Sequence, residues 1–187
     1  MSSKRKSGEL NQFLAGIERR AFQMAMITTQ NTEESLDLVQ DAMFKLVQRY
    51  RTRDASEWGP LFHRILQHRV RDWKRRKWVR DRWQAWFPQK DKDENNGEDP
   101  IQNIPDTKVK DMVDQIAEKD ATSELASALR KLPLRQREAF LLRAWEGYNV
   151  SETALAMGCS GGSVKTHYSR ALKALRKCLE KHGPIVK

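Results

Sequence analysis

Cysteine is nearly absent: Cys159 and Cys178 are the only two among 187 residues. Two thiols cannot build a disulfide framework, and in a reducing compartment each is a small apolar side chain. Histidine is equally scarce, with four in all. Cys159, His167, Cys178 and His182 are spaced with seven, ten and three residues between them, which matches no common zinc-ligand pattern. No metal is expected. No phosphate-binding glycine loop occurs either, so neither a nucleotide nor any other cofactor is expected. Long apolar runs are missing. No stretch approaches the roughly 18 consecutive apolar residues of a membrane span, and the opening residues MSSKRKSGEL lack the apolar core of a signal peptide. A cytoplasmic protein without membrane insertion is the expectation.

What the chain has in excess is positive charge, a formal net +10 with a pI near 9.8, which suits a polyanionic partner such as nucleic acid. The charge is unevenly placed. Residues 1–87 hold 18 basic and 10 acidic side chains, residues 88–120 hold 5 and 10, and residues 121–187 hold 12 and 5. The middle piece also carries Pro88, Gly97, Pro100 and Pro105 with few large apolar residues, so little of it can bury a core. It reads as an acidic linker, either a solubilising spacer or a mimic of nucleic acid. The expected architecture is therefore all-α: two small helical domains, 1–87 and 121–187, joined by the linker 88–120.

In the first unit Leu10, Phe13, Leu14, Ile17, Ala21, Met24 and Ile27 recur at steps of three and four, one buried helical face. A second helix is expected from an N-cap at Thr32, with Leu36, Val39, Met43, Val47 and Tyr50 inward. Leu38 then points outward, rimmed by Glu34, Asp37, Asp41 and Lys45. A third helix begins near Ser56. Trp58, Leu61, Phe62, Ile65, Leu66, Val70 and Trp73 form its packing arc, while Arg64, His68, Arg71 and Arg75 project from another face. His68 has no carboxylate or nucleophile beside it to make it catalytic. Beyond it, KRRKWVRDRWQAWF interleaves cations for phosphates with flat rings on which unstacked bases can lie; the same tryptophans could instead close the core.

In the second unit Leu125, Leu129 and Leu132 make a short stripe ending at Pro133, and RQREAFLLRAWEG resumes as a helix up to Gly147. A helix from an N-cap at Ser151 ends at Gly158, and a tight turn leads into SVKTHYSRALKALRKCLEKHG. Two short helices joined by such a turn make a helix-turn-helix. Val164, Tyr168, Ala171, Leu172, Leu175 and Leu179 are expected inward. Thr166, Ser169, Arg170, Lys173 and Lys177, flanked by Lys165, face out where a recognition helix reads base edges and phosphates.

SLDLVQDAMFKLVQRY followed by LFHRILQHRVRDWKRR resembles conserved region 2 of the extracytoplasmic-function group of bacterial RNA polymerase sigma factors, in the sigma-70 superfamily. LRKLPLRQREAFLLRAWEGYNVSETALAMGCSGGSVKTHYSRALKALR resembles their region 4. The resemblance implies a promoter-recognition subunit with no catalysis of its own. Asp37, Leu38, Gln40 and Asp41 would bind core RNA polymerase. Trp58, Arg64, His68, Arg71, Trp73 and Arg75 would capture the non-template single strand of the element that melts. Gly162, Ser163, Lys165, Thr166, Ser169, Arg170 and Lys173 would read the duplex of the distant promoter element. An anti-sigma factor is an implied partner. Leu66 and His68 stand where members commonly have a small residue and an Asn. The alternative is a free-standing helix-turn-helix regulator, whose N-terminal half would need a ligand pocket or phosphorylation site that the sequence does not display.

Overall fold

A computed structural model describes residues 2–86 and 120–180, and among these every regular element is helical. The linker expected at 88–120 lies almost wholly outside the described residues, as do Phe87 and His182. Helix α1 spans Ser2–Thr29, α2 Thr32–Tyr50 and α3 Ala55–Trp86. In the second unit α4 spans Asp120–Lys131, α5 Leu134–Phe140, α6 Val150–Met157 and α7 Gly161–Glu180.

Helices α1 to α3 pack as a three-helix body. Its core joins Ile17, Ala21 and Phe22 of α1 to Val39, Ala42 and Leu46 of α2, with Phe62, Leu66 and Val70 of α3 closing it. The ring of Phe13 meets that of Trp58 at 5.9 Å. The cap of α2 is Asn31, not Thr32: its side chain accepts from the Glu34 amide at 2.9 Å. The residues of α2 that are fully buried are Ser35, Leu38, Val39, Ala42 and Leu46. Leu38, expected outward, is only 5 % exposed. The reason is that α2 is gripped by α1 on one side and α3 on the other, so its buried arc is wider than a single stripe; Leu36, Met43, Val47 and Tyr50 flank that arc half-buried.

Helix α3 begins one residue earlier than expected and runs unbroken for 32 residues, taking in most of the tryptophan-rich segment. Pro60 therefore sits in its second turn and leaves the carbonyl of Ser56, an exposed residue, without its helical donor. Water can serve it there.

The second unit has two apolar centres. Ala139, Leu142, Ala156, Met157 and Val164 make one, between α5, α6 and α7. The other joins Leu129, Leu132, Leu141, Ala171 and Leu175 to Met24 and Ile27 of α1, so the two units share a core. Between α5 and α6 the chain winds as a π-helix over Leu141–Trp145, closed by the Glu146 amide on the Leu141 carbonyl at 3.0 Å. Gly147, at φ +72°, then turns it into α6.

Candidate nucleic-acid interface

The helix-turn-helix is set by local chemistry. Asn149, rather than Ser151, caps α6 in a capping box: its side chain accepts from the Glu152 amide at 2.9 Å, and the Glu152 carboxylate accepts from the Asn149 amide at 2.8 Å. Gly158 ends α6 in the left-handed conformation (φ 63°, ψ 46°). Ser160 accepts from the Ser163 amide at 3.2 Å at the start of α7. A Cβ on Gly161 would come within 3.1 Å of Val150, so glycine permits the close crossing of α6 and α7. Of the expected inward residues of α7, Val164, Ala171 and Leu175 are buried and Tyr168 is half-buried beneath the Arg143 guanidinium. Leu172 is exposed, 100° round the helix from Ala171. The side chain of Leu179 lies outside the described residues.

The residues expected to read the distant element come together on one face. Gly162, Lys165, Thr166, Ser169, Arg170 and Lys173 are exposed and Ser163 is half-buried. Among the described residues none of the three cations is tied into a salt bridge, while Thr166 donates back to the Gly162 carbonyl at 3.0 Å. Two lysines and an arginine with two hydroxyls on the first four turns can pair with phosphates and with base edges.

On α3 the structure divides the expected set. Arg64, His68 and Arg75 are exposed, and Arg71 is half-buried. Partial burial, followed by the guanidiniums of Arg71 and Arg64, lowers the His68 pKa from 6.5, so the ring is neutral at pH 7 and offers hydrogen bonds rather than charge. Trp58 and Trp73 are corrections. At 1 % and 7 % exposure both close the core of the first unit, and Trp58 donates from Nε1 to the Tyr50 carbonyl at 3.2 Å, so neither presents a ring face for stacking. Among the described side chains of α3 the exposed rings are Trp78 and Trp83, with the Arg82 guanidinium 5.2 Å from the Trp78 ring.

Asp37, Leu38, Gln40 and Asp41 all line one groove of about 630 Å³ between α2 and the later turns of α3. Leu38 forms part of its floor. Its α2 wall is acidic and its α3 wall, with Arg76, Lys77 and Arg80, is basic. Asp41 pairs with Arg69 at 3.6 Å, and Phe44 at the groove is 67 % exposed, an aromatic side chain that the periodicity argument passed over.

The largest omission of sequence reasoning lies between the units. His63 of α3 is fully buried, with Nδ1 3.0 Å from the Gly59 carbonyl and 2.9 Å from the Tyr148 hydroxyl. Arg20 of α1 donates to Glu146 at 3.2 Å. Glu138 of α5 lies 3.9 Å from Arg71 and 3.3 Å from Arg135, and burial raises its pKa against the pull of both guanidiniums. These residues are far apart in the chain, and no pairwise signal in one sequence joins them.

A two-unit helical fold carrying a capped helix-turn-helix with a cationic reading face defines a DNA-binding protein. Residues 122–175 match the family "Sigma-70, region 4". The chain is similar to the RNA polymerase sigma-E factor of Streptomyces antibioticus, 40 % identical over 81 residues that make 43 % of each chain. It is also similar to the ECF RNA polymerase sigma factor SigX of Bacillus subtilis (strain 168), 42 % identical over 57 residues, 30 % of this chain and 29 % of that one. Its matches thus span less than half the length of these relatives. In fold it resembles the sigma factor RpoE of Bartonella quintana, solved in complex with the anti-sigma factor NepR, with a TM-score of 0.63 at 21 % identity over 91 % of this chain and 96 % of that one. Residues 122–175 are thus a sigma-70 region 4 segment by sequence, and the chain is similar to sigma factors that include members of the extracytoplasmic-function group.

Proposed function

We propose that this protein is a sigma factor that binds core RNA polymerase and directs promoter recognition and the start of transcription. The observation that carries the reading is the exposed cationic face of α7, whose Lys165, Arg170 and Lys173 form no salt bridge among the described residues, held by the capped α6–turn–α7 unit. In this reading residues 121–187 form a region 4-like domain that docks on the duplex of the distant element through Lys165, Thr166, Ser169, Arg170 and Lys173. Residues 1–87 form a region 2-like domain. Its groove, with Asp37, Gln40, Asp41 and Phe44 at the rim, takes a helical element of core polymerase. Arg64, His68 and Arg75, with the exposed rings of Trp78 and Trp83, receive the non-template strand as the duplex opens.

No bond chemistry is assigned to the chain. Stacking worth roughly 1 to 3 kcal/mol per base can offset the unstacking of a few pairs, and polymerase supplies the catalysis. Such a protein works in the cytoplasm, on chromosomal DNA, and an anti-sigma factor is a further partner of this class. The decisive experiment adds the protein to sigma-free polymerase on a pool of random promoters. Initiation from a selected subset is expected. A protein that shifts DNA yet neither co-elutes with polymerase nor directs initiation would be a free-standing regulator instead.

A further inference from the structure

Past Trp73, the last side chain that α3 gives to the core of the first unit, every side chain from Lys74 to Trp83 is exposed. This extension carries Lys74, Arg75, Arg76, Lys77, Arg80 and Arg82 against the single acid Asp81. Among the described residues Arg75 is the one of these cations in a salt bridge, with Asp72 at 3.5 Å. Trp78, Val79 and Trp83 stand in the same turns, 60 %, 41 % and 64 % exposed. Large apolar side chains grouped on a surface in this way mark a contact face. Residues 77–83 also run past the stretch that resembles region 2, which ends at Arg76.

The order of side chains round the helix selects the ligand. A helix that lies in a lipid surface or in a protein interface keeps its apolar face undivided, with charges at the edges. Here Arg75 and Arg82 fall within about 20° of each other, between Trp78 on one side and Val79 and Trp83 on the other. Cations thus occupy the middle of the apolar arc, and the Arg82 guanidinium lies 5.2 Å from the Trp78 ring. Flat rings interleaved with cations match an unpaired strand, in which bases and phosphates alternate. A duplex hides its base faces and gives the rings nothing to stack on. Exposed Arg64 and His68 lie on the same stripe of α3, which runs about 27 Å from Arg64 to Arg82.

We propose that residues 74–83 form a binding site for single-stranded DNA of any sequence, open in the free chain. Bases stack on Trp78 and Trp83, while Arg75, Arg82 and the flanking cations hold phosphates. Stacking and phosphate contacts carry no sequence, so the site is sequence-tolerant. The site goes beyond the promoter reading above, because neither a promoter element nor polymerase enters it.

Fluorescence anisotropy of a labelled oligo(dT) strand, with the full chain and no polymerase, tests it. Binding is expected to be about tenfold weaker for Trp78→Ala and for Trp78→Leu, and within about threefold of wild type for Trp78→Phe, which keeps a flat ring. The leucine variant retains apolar bulk and so separates stacking from simple burial. Arg82→Gln should lower the slope of log K against log salt by about 0.7, the single-strand value for one phosphate. All these positions are exposed, so the variants keep the fold, which circular dichroism checks.

Wild type that leaves oligo(dT) unbound overturns the site, as does equal binding by wild type, W78A and W78L. A blunt duplex that competes as well as the strand would make it a general phosphate surface, and preferential binding to phosphatidylglycerol vesicles a lipid one. An oligo(U) strand bound more than tenfold tighter than oligo(dT) would assign it to RNA. A chain that binds the strand yet never directs initiation with polymerase keeps this site and loses the promoter reading; one that directs initiation yet leaves the strand unbound does the reverse.

Discussion

Arg137 on α5 donates from Nη1 to the hydroxyl of Thr28 on α1 at 3.0 Å, crossing from one unit to the other. The same guanidinium reaches the carbonyls of Ile27, Arg130 and Leu132 at 3.3 to 3.4 Å. One buried cation thus serves the ends of α1 and α4 together. Arg137→Ala strands these acceptors and should cost roughly 3 kcal/mol. Urea unfolding measures it, and a loss under about 1 kcal/mol would show that water replaces the side chain.

The groove of α2 and α3 gives a cleaner test of polymerase binding than Leu38 does. A Leu38→Glu change buries a charge in the core and should cost several kcal/mol, on the order of 3 or more, so lost association would only report unfolding. Phe44→Ala removes an exposed ring and should leave stability within about 0.5 kcal/mol. Co-elution with core polymerase should nonetheless weaken for this variant, and for Asp41→Arg. Unchanged co-elution of both would remove the groove from the interface.

Arg170→Ala should cost about 1 to 3 kcal/mol of discrimination at one position of the distant element, with polymerase binding intact. Competition between promoter variants reads this directly. A uniform loss over all sequences would make Arg170 a phosphate contact.

Duplex binding by the α7 face should weaken steeply with salt, and Lys173→Ala should reduce the slope of log K against log salt by about one. Titration between low and physiological salt tests it. An unaltered slope would place Lys173 off the DNA.

His63 carries a pH signature. Burial, against the bond to Gly59 and with the Arg20 charge adding to it, lowers its pKa to about 4 from 6.5. The folded protein refuses a proton that the unfolded chain accepts, so this contribution is complete above pH 6.5 and is lost as pH falls towards 4. The groups facing it are Arg20 from α1 and, beyond α5, Tyr148 with Glu146 behind Arg20. Glu146 and Glu138, raised by burial, act in the opposite sense, because they hold protons more readily when folded. Comparing wild type with His63→Gln cancels their part. Between pH 7 and 4.5 the wild type should lose more stability than the variant, by on the order of 2 kcal/mol. Parallel pH profiles would contradict the assignment.

Local chemistry was the legible part of the sequence. Gly158 and the run of α7 from Val164 to Leu175 announced the helix-turn-helix because each acts on its immediate neighbours. The face of α2 was misjudged because Ser35 and Ala42, small and weakly apolar, lie at the centre of its buried arc. Counting only large side chains shifted the stripe and turned Leu38 outward. The tryptophans show the same limit, since Trp58 and Trp78 are alike in sequence and differ only in whether α1 and α2 cover them. His63 and Tyr148 pair over 85 positions. Such a bond exists only once both units have folded and met.

Helix α3 is a single rod about 48 Å long. Its early turns carry Gly59 and His63, and its later turns wall the groove opposite Asp37 and Asp41. Whatever takes hold of the groove therefore grips the far arm of a lever whose near arm is the joint between the units, and a tilt of a few degrees at one end becomes ångströms of travel at the other.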